Sequence, residues 1–326
     1  MKGKTSLQKA WEVLFPYLLY YLTYNAAYLI LAFVYQATVE RFGGAYGQFL
    51  TAHAATVTGV MGGLCMLAGI LPVVPMLKEE LRGRGETGWF VALKEGGEGT
   101  SSAMTGAAGR EDRVAGSASG LTDWVGITAR RQKGMTALTV VLAFSASLGF
   151  NALLTLTGFA DSSQTYQKVA DRQYGVAFAV GFILYGLISP LAEEVVFRGV
   201  IYNRLRRLYN PAIGIVASGL LFGAFHGNLV QGVYGACLGM LMAYLYERSG
   251  KFGTPFLFHA AANLAVYTTA RMEGVQEILL TPAGCAVLLA VSVGCVLAVH
   301  RSGISGCFLK LLPLRLRCFI TGRWRS

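Results

Sequence analysis

The sequence predicts an all-α protein, a polytopic membrane helix bundle with about eight transmembrane helices. Three observations carry that reading. Hydrophobic residues make up 54% of the 326 and charged residues only 14%, where a soluble domain carries about 25% charged. The apolar residues fall in long uncharged runs of the length needed to cross a hydrocarbon core of about 30 Å. The charges between the runs segregate by side.

In chain order the runs lie near 13–39, 49–77, 135–158, 174–198, 211–228, 230–246, 255–270 and 280–299. The first is too long for the core of a secretory signal peptide and reads as a helix. With the N-terminus inside, the inner segments collect Lys2, Lys4 and Lys9, then nine basic residues between Lys78 and Lys133. They add Arg204, Arg206, Arg207, Arg248 and Lys251, then six from Arg301 onward. The outer loops hold only Arg41, Lys168, Arg172 and Arg271. This is the positive-inside pattern, with both termini cytoplasmic. The net charge of +11 therefore reports topology and gives no ground for a nucleic-acid partner. Cys65, Cys237, Cys285 and Cys295 lie within apolar runs, where free cysteine packs as a small hydrophobe, so no disulfide framework is expected.

The runs divide the chain into two N-terminal helices (1–77), a linker (78–134), a six-helix membrane domain (135–300) and a basic tail (301–326). The linker reads "KEGGEGTSSAMTGAAGREDRVAGSASG", rich in Gly and Ser with no amphipathic period, and is expected to be flexible and cytoplasmic. The tail, "CFLKLLPLRLRCFITGRWRS", pairs basic with large apolar residues. That composition suits anionic lipid at the inner leaflet. No inverted internal repeat of the transporter kind is present.

Ionisable residues inside such runs are expensive, about 3 kcal/mol each at bilayer depth, and mark function. Glu193, Glu194 and Arg198 follow an uncharged stretch from Tyr174 to Ala192. Glu194 and Arg198 are i, i+4, an ion-pair spacing. Glu193 is turned by about 100° from that pair on a helix of 3.6 residues per turn, so its complement is expected on another helix. His226 stands about as far after the turn at Pro211 as Glu193 stands before it, so a hairpin brings the two to one level. A carboxylate and an imidazole there can hold and deprotonate a water. His259 and Asn263, also i, i+4, offer hydrogen-bond donors for an oxyanion. His259 lies only nine residues past the turn at Ser249–Gly250, so its depth matches less well without a tilted or interrupted helix, for which Pro255 provides a site. Pro190 is expected to free the Gly186 carbonyl and kink the helix beside Glu193. Gly223, Gly227, Ala260, Ala261 and Ala262 permit close helix approach.

The segments "EEVVFR" (Glu193–Arg198), "FGAFH" (Phe222–His226) and "HAAAN" (His259–Asn263) resemble the three motifs of the CPBP intramembrane proteases. That family includes the type II CAAX prenyl endopeptidases and bacteriocin-processing proteins. The resemblance covers about 174–270. It implies a helical membrane endopeptidase with a cavity opening toward the cytoplasm and a membrane-associated peptide or protein as substrate. Glu193 and His226 would activate water, His259 and Asn263 would form the oxyanion hole, and Glu194 with Arg198 would support the site. A metal-free mechanism is expected; no HExxH pair is present, although zinc held by Glu193, His226 and His259 is compatible by ligand type. The expected location is the plasma membrane of a bacterium. Two other classes share these residues: a proton- or ion-coupled transporter, and a non-catalytic membrane immunity or adaptor protein.

Overall fold

The computed structural model describes residues 4–86 and 118–302, with the helical backbone alone for 118–132. The described residues contain helices and no strands. Four N-terminal helices are α1 (Ser6–Arg41), α2 (Ala45–Ala52), α3 (Ala54–Ile70) and α4 (Val74–Gly83). Next come α5 (Ala118–Leu156) and a short α6 (Gln164–Tyr174), then α7, which runs unbroken over Phe178–Leu208. The chain continues through α8 (Pro211–Phe225), α9 (Leu229–Ser249), α10 (Gly253–Thr269), α11 (Glu273–Leu279) and α12 (Pro282–Arg301).

Five helices are long and apolar enough to cross a membrane: α1, α5 through Lys133–Leu156, α7, α9 and α12. The bent pair of α2 and α3 makes a sixth if it forms one span. The protein is an integral membrane protein, and its outward faces match: Leu22, Leu29, Phe33, Leu220 and Val287 are exposed.

Each of the eight expected runs is helical, with three differences of detail. The second run is broken, because α2 and α3 meet at a 74° bend at His53, whose imidazole Nδ1 lies 2.9 Å from the Phe49 carbonyl. The same run breaks again before α4, where Pro75, lacking an N–H, sits in the first turn. The loops expected on the outer side hold α6 and α11, too short to be read from apolar runs. The expected linker is helical at both ends, in α4 and in α5 from Ala118; its remainder, 87–117, lies outside the described residues, as does the tail beyond 302. Cys65, Cys237, Cys285 and Cys295 are free thiols.

The bundle centres on α7. Its second half is wholly buried from Val195 to Tyr202, packed by α1, α4, α8 and α9. The α8–α9 hairpin closes tightly because Gly223 has no side chain: a Cβ there would stand 2.3 Å from the Gly232 carbonyl oxygen. Gly227 plays a different part from the one expected of it. It turns the chain after α8 at φ +69°, a left-handed conformation that suits glycine.

The end of the bundle where α7 stops is closed by ion pairs. Glu80 of α4 binds Arg204 at 3.2 Å and Arg207 at 2.6 Å. Glu247 of α9 binds Arg206 at 2.8 Å and Arg84 at 3.5 Å, and accepts from the Tyr202 hydroxyl at 2.6 Å. Glu86 accepts from the Tyr246 hydroxyl at 2.8 Å and from the Phe252 N–H at 2.6 Å. Lys4 and Arg207 both reach Glu12. Among the described residues, Lys4, Arg84, Arg204, Arg206 and Arg207 are thus gathered at one end and paired.

Candidate active site

The site begins with the backbone of α7. Ser189 N–H bonds back to the Leu184 carbonyl, five residues earlier, so Leu184–Ile188 forms a π-helical turn. In that register the next carbonyl, Tyr185, would look to residue 190, and Pro190 has no N–H. Asn263 Nδ2 from α10 donates to the Tyr185 oxygen at 3.0 Å. The proline therefore frees a carbonyl one residue earlier than a plain α-helix predicts, and the shifted register absorbs it without breaking the helix. A second π-helical stretch, Val195–Tyr202, starts directly after Glu194. Such bulges recur at functional sites.

Glu193 and Glu194 are both buried, with different surroundings. Glu194 Oε1 accepts from Arg198 Nη1 at 2.8 Å and from His259 Nδ1 at 2.8 Å. Arg198 is fully buried; its Nη2 donates to the Gly239 carbonyl at 3.1 Å. Its guanidinium lies 4.3 Å from the Phe222 ring centroid, a favourable cation–π placement. Glu193 Oε1 accepts from the Ser189 hydroxyl at 2.5 Å, while Oε2 is buried without a hydrogen-bond partner and stands 3.7 Å from His259 Nε2. Ser189 is the local partner that the sequence reading denied Glu193. It sits at i−4, a spacing that could have been read.

His226 follows the last residue of α8, with Nδ1 2.9 Å from the Phe222 carbonyl. A carbonyl only accepts, so Nδ1 carries the proton, and in the neutral form of the ring Nε2 presents the lone pair. His259 is held at Nδ1 by Glu194, which leaves Nε2 facing Glu193. Phe222 ties the group together, its ring edge-on to His226 at 4.9 Å and to His259 at 5.6 Å. The sequence reading also passed over Phe222; an aromatic in an apolar helix gives no signal of such a role.

The depth mismatch of His259 resolves without an interruption. Helix α10 is continuous through Pro255, and its start is already sunk in the protein, with Phe252 and Thr254 buried. Few residues are then needed to reach the glutamates.

Glu193, His226, His259 and Asn263 all line one cavity of about 530 Å³, together with Ser189 and Tyr185. Glu194 and Arg198 stand behind this wall and are not part of the lining. From Glu193 the cavity extends past Tyr234 to Asn151 and Thr155 near the end of α5, Gln231 in α9, and Tyr166, Gln173 and Tyr174 of α6. Tyr174 is about a third exposed, and partial desolvation of its phenol pushes the pKa up to about 12. The cavity thus runs away from the arginine end, which is filled by Arg198, Tyr202, Tyr246 and Phe258, each under 2% exposed. Among the described residues no group of three His, Cys, Asp or Glu side chains is placed as a metal ion would require.

The fold and site define a helical membrane protein with a Glu–His–His–Asn constellation in an internal cavity. Residues 175–265, less than a third of the chain, match the family described as type II CAAX prenyl endopeptidase Rce1-like. A Bacillus subtilis protein named "Putative membrane peptidase YdiL" is 24% identical over 126 residues, which are 39% of this chain and 51% of that protein. The chain thus spans about half the length of the curated relative it matches. No solved structure matches. Both findings support the resemblance to CPBP proteases, and the family match spans the three motifs.

Proposed function

We propose that the protein is an intramembrane endopeptidase that hydrolyses a peptide bond in a membrane-associated protein or peptide. One observation carries this reading: Glu193, His226, His259 and Asn263, from three helices, line a single cavity in which Glu193 Oε2 is buried with no hydrogen-bond partner. An unpartnered carboxylate oxygen 3.7 Å from an imidazole is costly in a bundle interior unless it works.

In this mechanism Glu193 and His226 Nε2 share a water and take its proton as the oxygen attacks the carbonyl carbon. The tetrahedral oxyanion receives hydrogen bonds from the second N–H of Asn263, whose first is given to Tyr185, and from Nε2–H of His259, which the doubly protonated ring supplies while Nδ1–H stays on Glu194. Collapse breaks the C–N bond, and the proton passes to the departing amine. Glu194 and Arg198 hold His259 in orientation. No metal is needed for these steps; metal analysis of the purified protein, with activity measured after chelation, tests that point, and loss of both zinc and activity would replace the mechanism.

The decisive variant is Glu193→Gln, which keeps the shape but cannot take the proton. Cleavage should fall by roughly 10²–10⁴, the usual worth of a general base, with folded yield unchanged. His226→Ala should be similarly impaired and the double variant hardly worse, since groups acting as a unit are non-additive. Full cleavage by a well-folded Glu193→Gln protein would sink the mechanism. Loss of ion or solute uptake in that variant, with no hydrolysis by the native protein, would favour a transporter.

A further inference from the structure

Helix α1 lies outside residues 175–265, the segment that matches the family, yet it reaches the cavity. Tyr24 of α1 and Met66 of α3 line it beside Phe225, His226 and Glu193. The level follows from how α1 runs against α7. Glu12 pairs with Arg207 at 3.2 Å, and Tyr17 packs on Phe197 with ring centroids 6.2 Å apart, so the two helices are antiparallel. At 1.5 Å per residue, Tyr24 stands about 10 Å beyond the Tyr17–Phe197 contact, between Glu193 at about 6 Å and Ser189 at about 12 Å. Two further contacts hold this wall in place. Tyr17 meets the Phe225 ring edge-on at 5.7 Å, and Phe225 lies 5.8 Å from the His226 ring. At Gly69 of α3 a Cβ would stand 2.8 Å from the Tyr20 ring, so the glycine lets α1 close on α3.

Tyrosine in a membrane helix is usual at the interfaces, where its hydroxyl meets headgroups and water. Tyr24 is instead at the middle of the 36-residue α1, about 26 Å along the helix from either end. Its ring packs against Tyr20 at 6.1 Å and stacks on Tyr28 at 6.5 Å. Its hydroxyl has no hydrogen-bond partner among the described residues. A phenol left so in hydrocarbon is costly, and the cavity is the polar space that it borders. The other groups around Glu193 are engaged or only accept. Ser189 donates to Glu193, Asn263 donates to the Tyr185 carbonyl, and Nε2 of the neutral His226 ring is an acceptor. A peptide carbonyl brought into the bundle gives up its water and needs a donor in exchange. Tyr24 has one to give.

We propose that the Tyr24 hydroxyl is a substrate-binding group, donating a hydrogen bond to a backbone carbonyl of the peptide that lies across Glu193 and His226. The bond holds the scissile amide against the water which that pair activates. The proposal rests on the peptidase reading and extends its site to a helix that the family match does not include.

The test uses the full chain, first in the source cells and then purified. A benzophenone amino acid replaces Tyr24 in a Glu193→Gln background, which binds substrate without cutting it. On irradiation it should crosslink to the polypeptides that lengthen in Glu193→Gln cells. The same group replacing Tyr28, one turn further on and exposed, should crosslink to lipid instead. Capture of those polypeptides at neither position, or equally at both, would overturn the proposal. A synthetic peptide spanning a bond so identified is then the probe for the purified protein. Tyr24→Phe keeps the ring and its stacking but loses the donor. KM should rise about fivefold, the worth of one neutral hydrogen bond. A bond made equally in ground state and transition state leaves kcat within about twofold, and the melting temperature should not move. A purely structural tyrosine would lower the melting temperature and leave KM alone. That result, or Tyr24→Phe at the native KM, would remove the proposal and leave the peptidase reading standing. No lengthened polypeptide in Glu193→Gln cells would remove both.

Discussion

Two regions of this bundle concentrate ionisable side chains in an apolar setting, and they treat them oppositely. At the arginine end, Glu80, Glu86 and Glu247 each meet at least two donors, and the groups satisfy one another across α4, α7, α9 and the start of α10. Around the cavity, Glu193 has one oxygen held by Ser189 and the other buried without a donor, and Glu194 Oε2 is likewise unmatched. Completed networks fix a structure. A carboxylate left with capacity to spare, facing a cavity, retains its chemistry. The comparison teaches where to separate stability from activity: variants of the first region should lower the folded fraction, and variants of the second should lower turnover.

Arg198→Ala should show the largest effect on folding. It leaves Glu194 fully buried without its cation, a change that costs about 3–5 kcal/mol when a buried pair loses one partner. Yield of monodisperse protein in detergent measures it; normal yield with lost activity would move Arg198 from support into the reaction. Asn263→Ala sharpens the other side of the comparison. Loss of an oxyanion donor should cut the rate by about 10²–10³, with a smaller stability loss of about 1–3 kcal/mol from the Tyr185 carbonyl left without its donor. A variant with reduced melting temperature and unchanged turnover would reduce Asn263 to a structural prop.

Glu247→Gln should behave in the contrary way. It weakens contacts with Arg84, Arg206 and Tyr202, and about 1–2 kcal/mol of stability should go, given that Arg206 is partly exposed. Turnover per folded molecule should not change; a fall in turnover without a fall in stability would break the division between the regions. Ser189→Ala should be the mildest. Removing one hydrogen bond to Glu193 should cost about 1 kcal/mol of transition-state stabilisation, read as a several-fold lower kcat at unchanged folding.

The spans and most of the candidate site were legible in the sequence for the same reason. Lipid demands long uncharged runs, so a charge inside one stands out: Glu193, Glu194, Arg198, His226 and His259 announce themselves by being in the wrong medium. The parts that could not be read depend on contacts between distant segments. The bend at His53, the π-helical turns of α7 and the role of Phe222 follow from how helices meet. Helices α6 and α11 are too short and too polar to leave a hydropathy signal. The arginine residues were read as topology alone, although several are ion-pair partners of Glu80 and Glu247, because charge counts carry no information about pairing across more than a hundred residues.

Helix α8 has a consequence for the solvent. Its 15 residues reach only about 22 Å at 1.5 Å per residue, against a hydrocarbon thickness of about 30 Å, and Ile213, Val216 and Leu220 on it are exposed. A helix this short favours thinner lipid beside it, and His226 follows directly on its last residue. Hydrolysis consumes one water per bond cut, and a local hydrophobic mismatch shortens the path that water travels to reach the imidazole. Bilayer thickness then becomes a variable of the reaction, to be read as the dependence of cleavage rate on acyl-chain length in reconstituted vesicles.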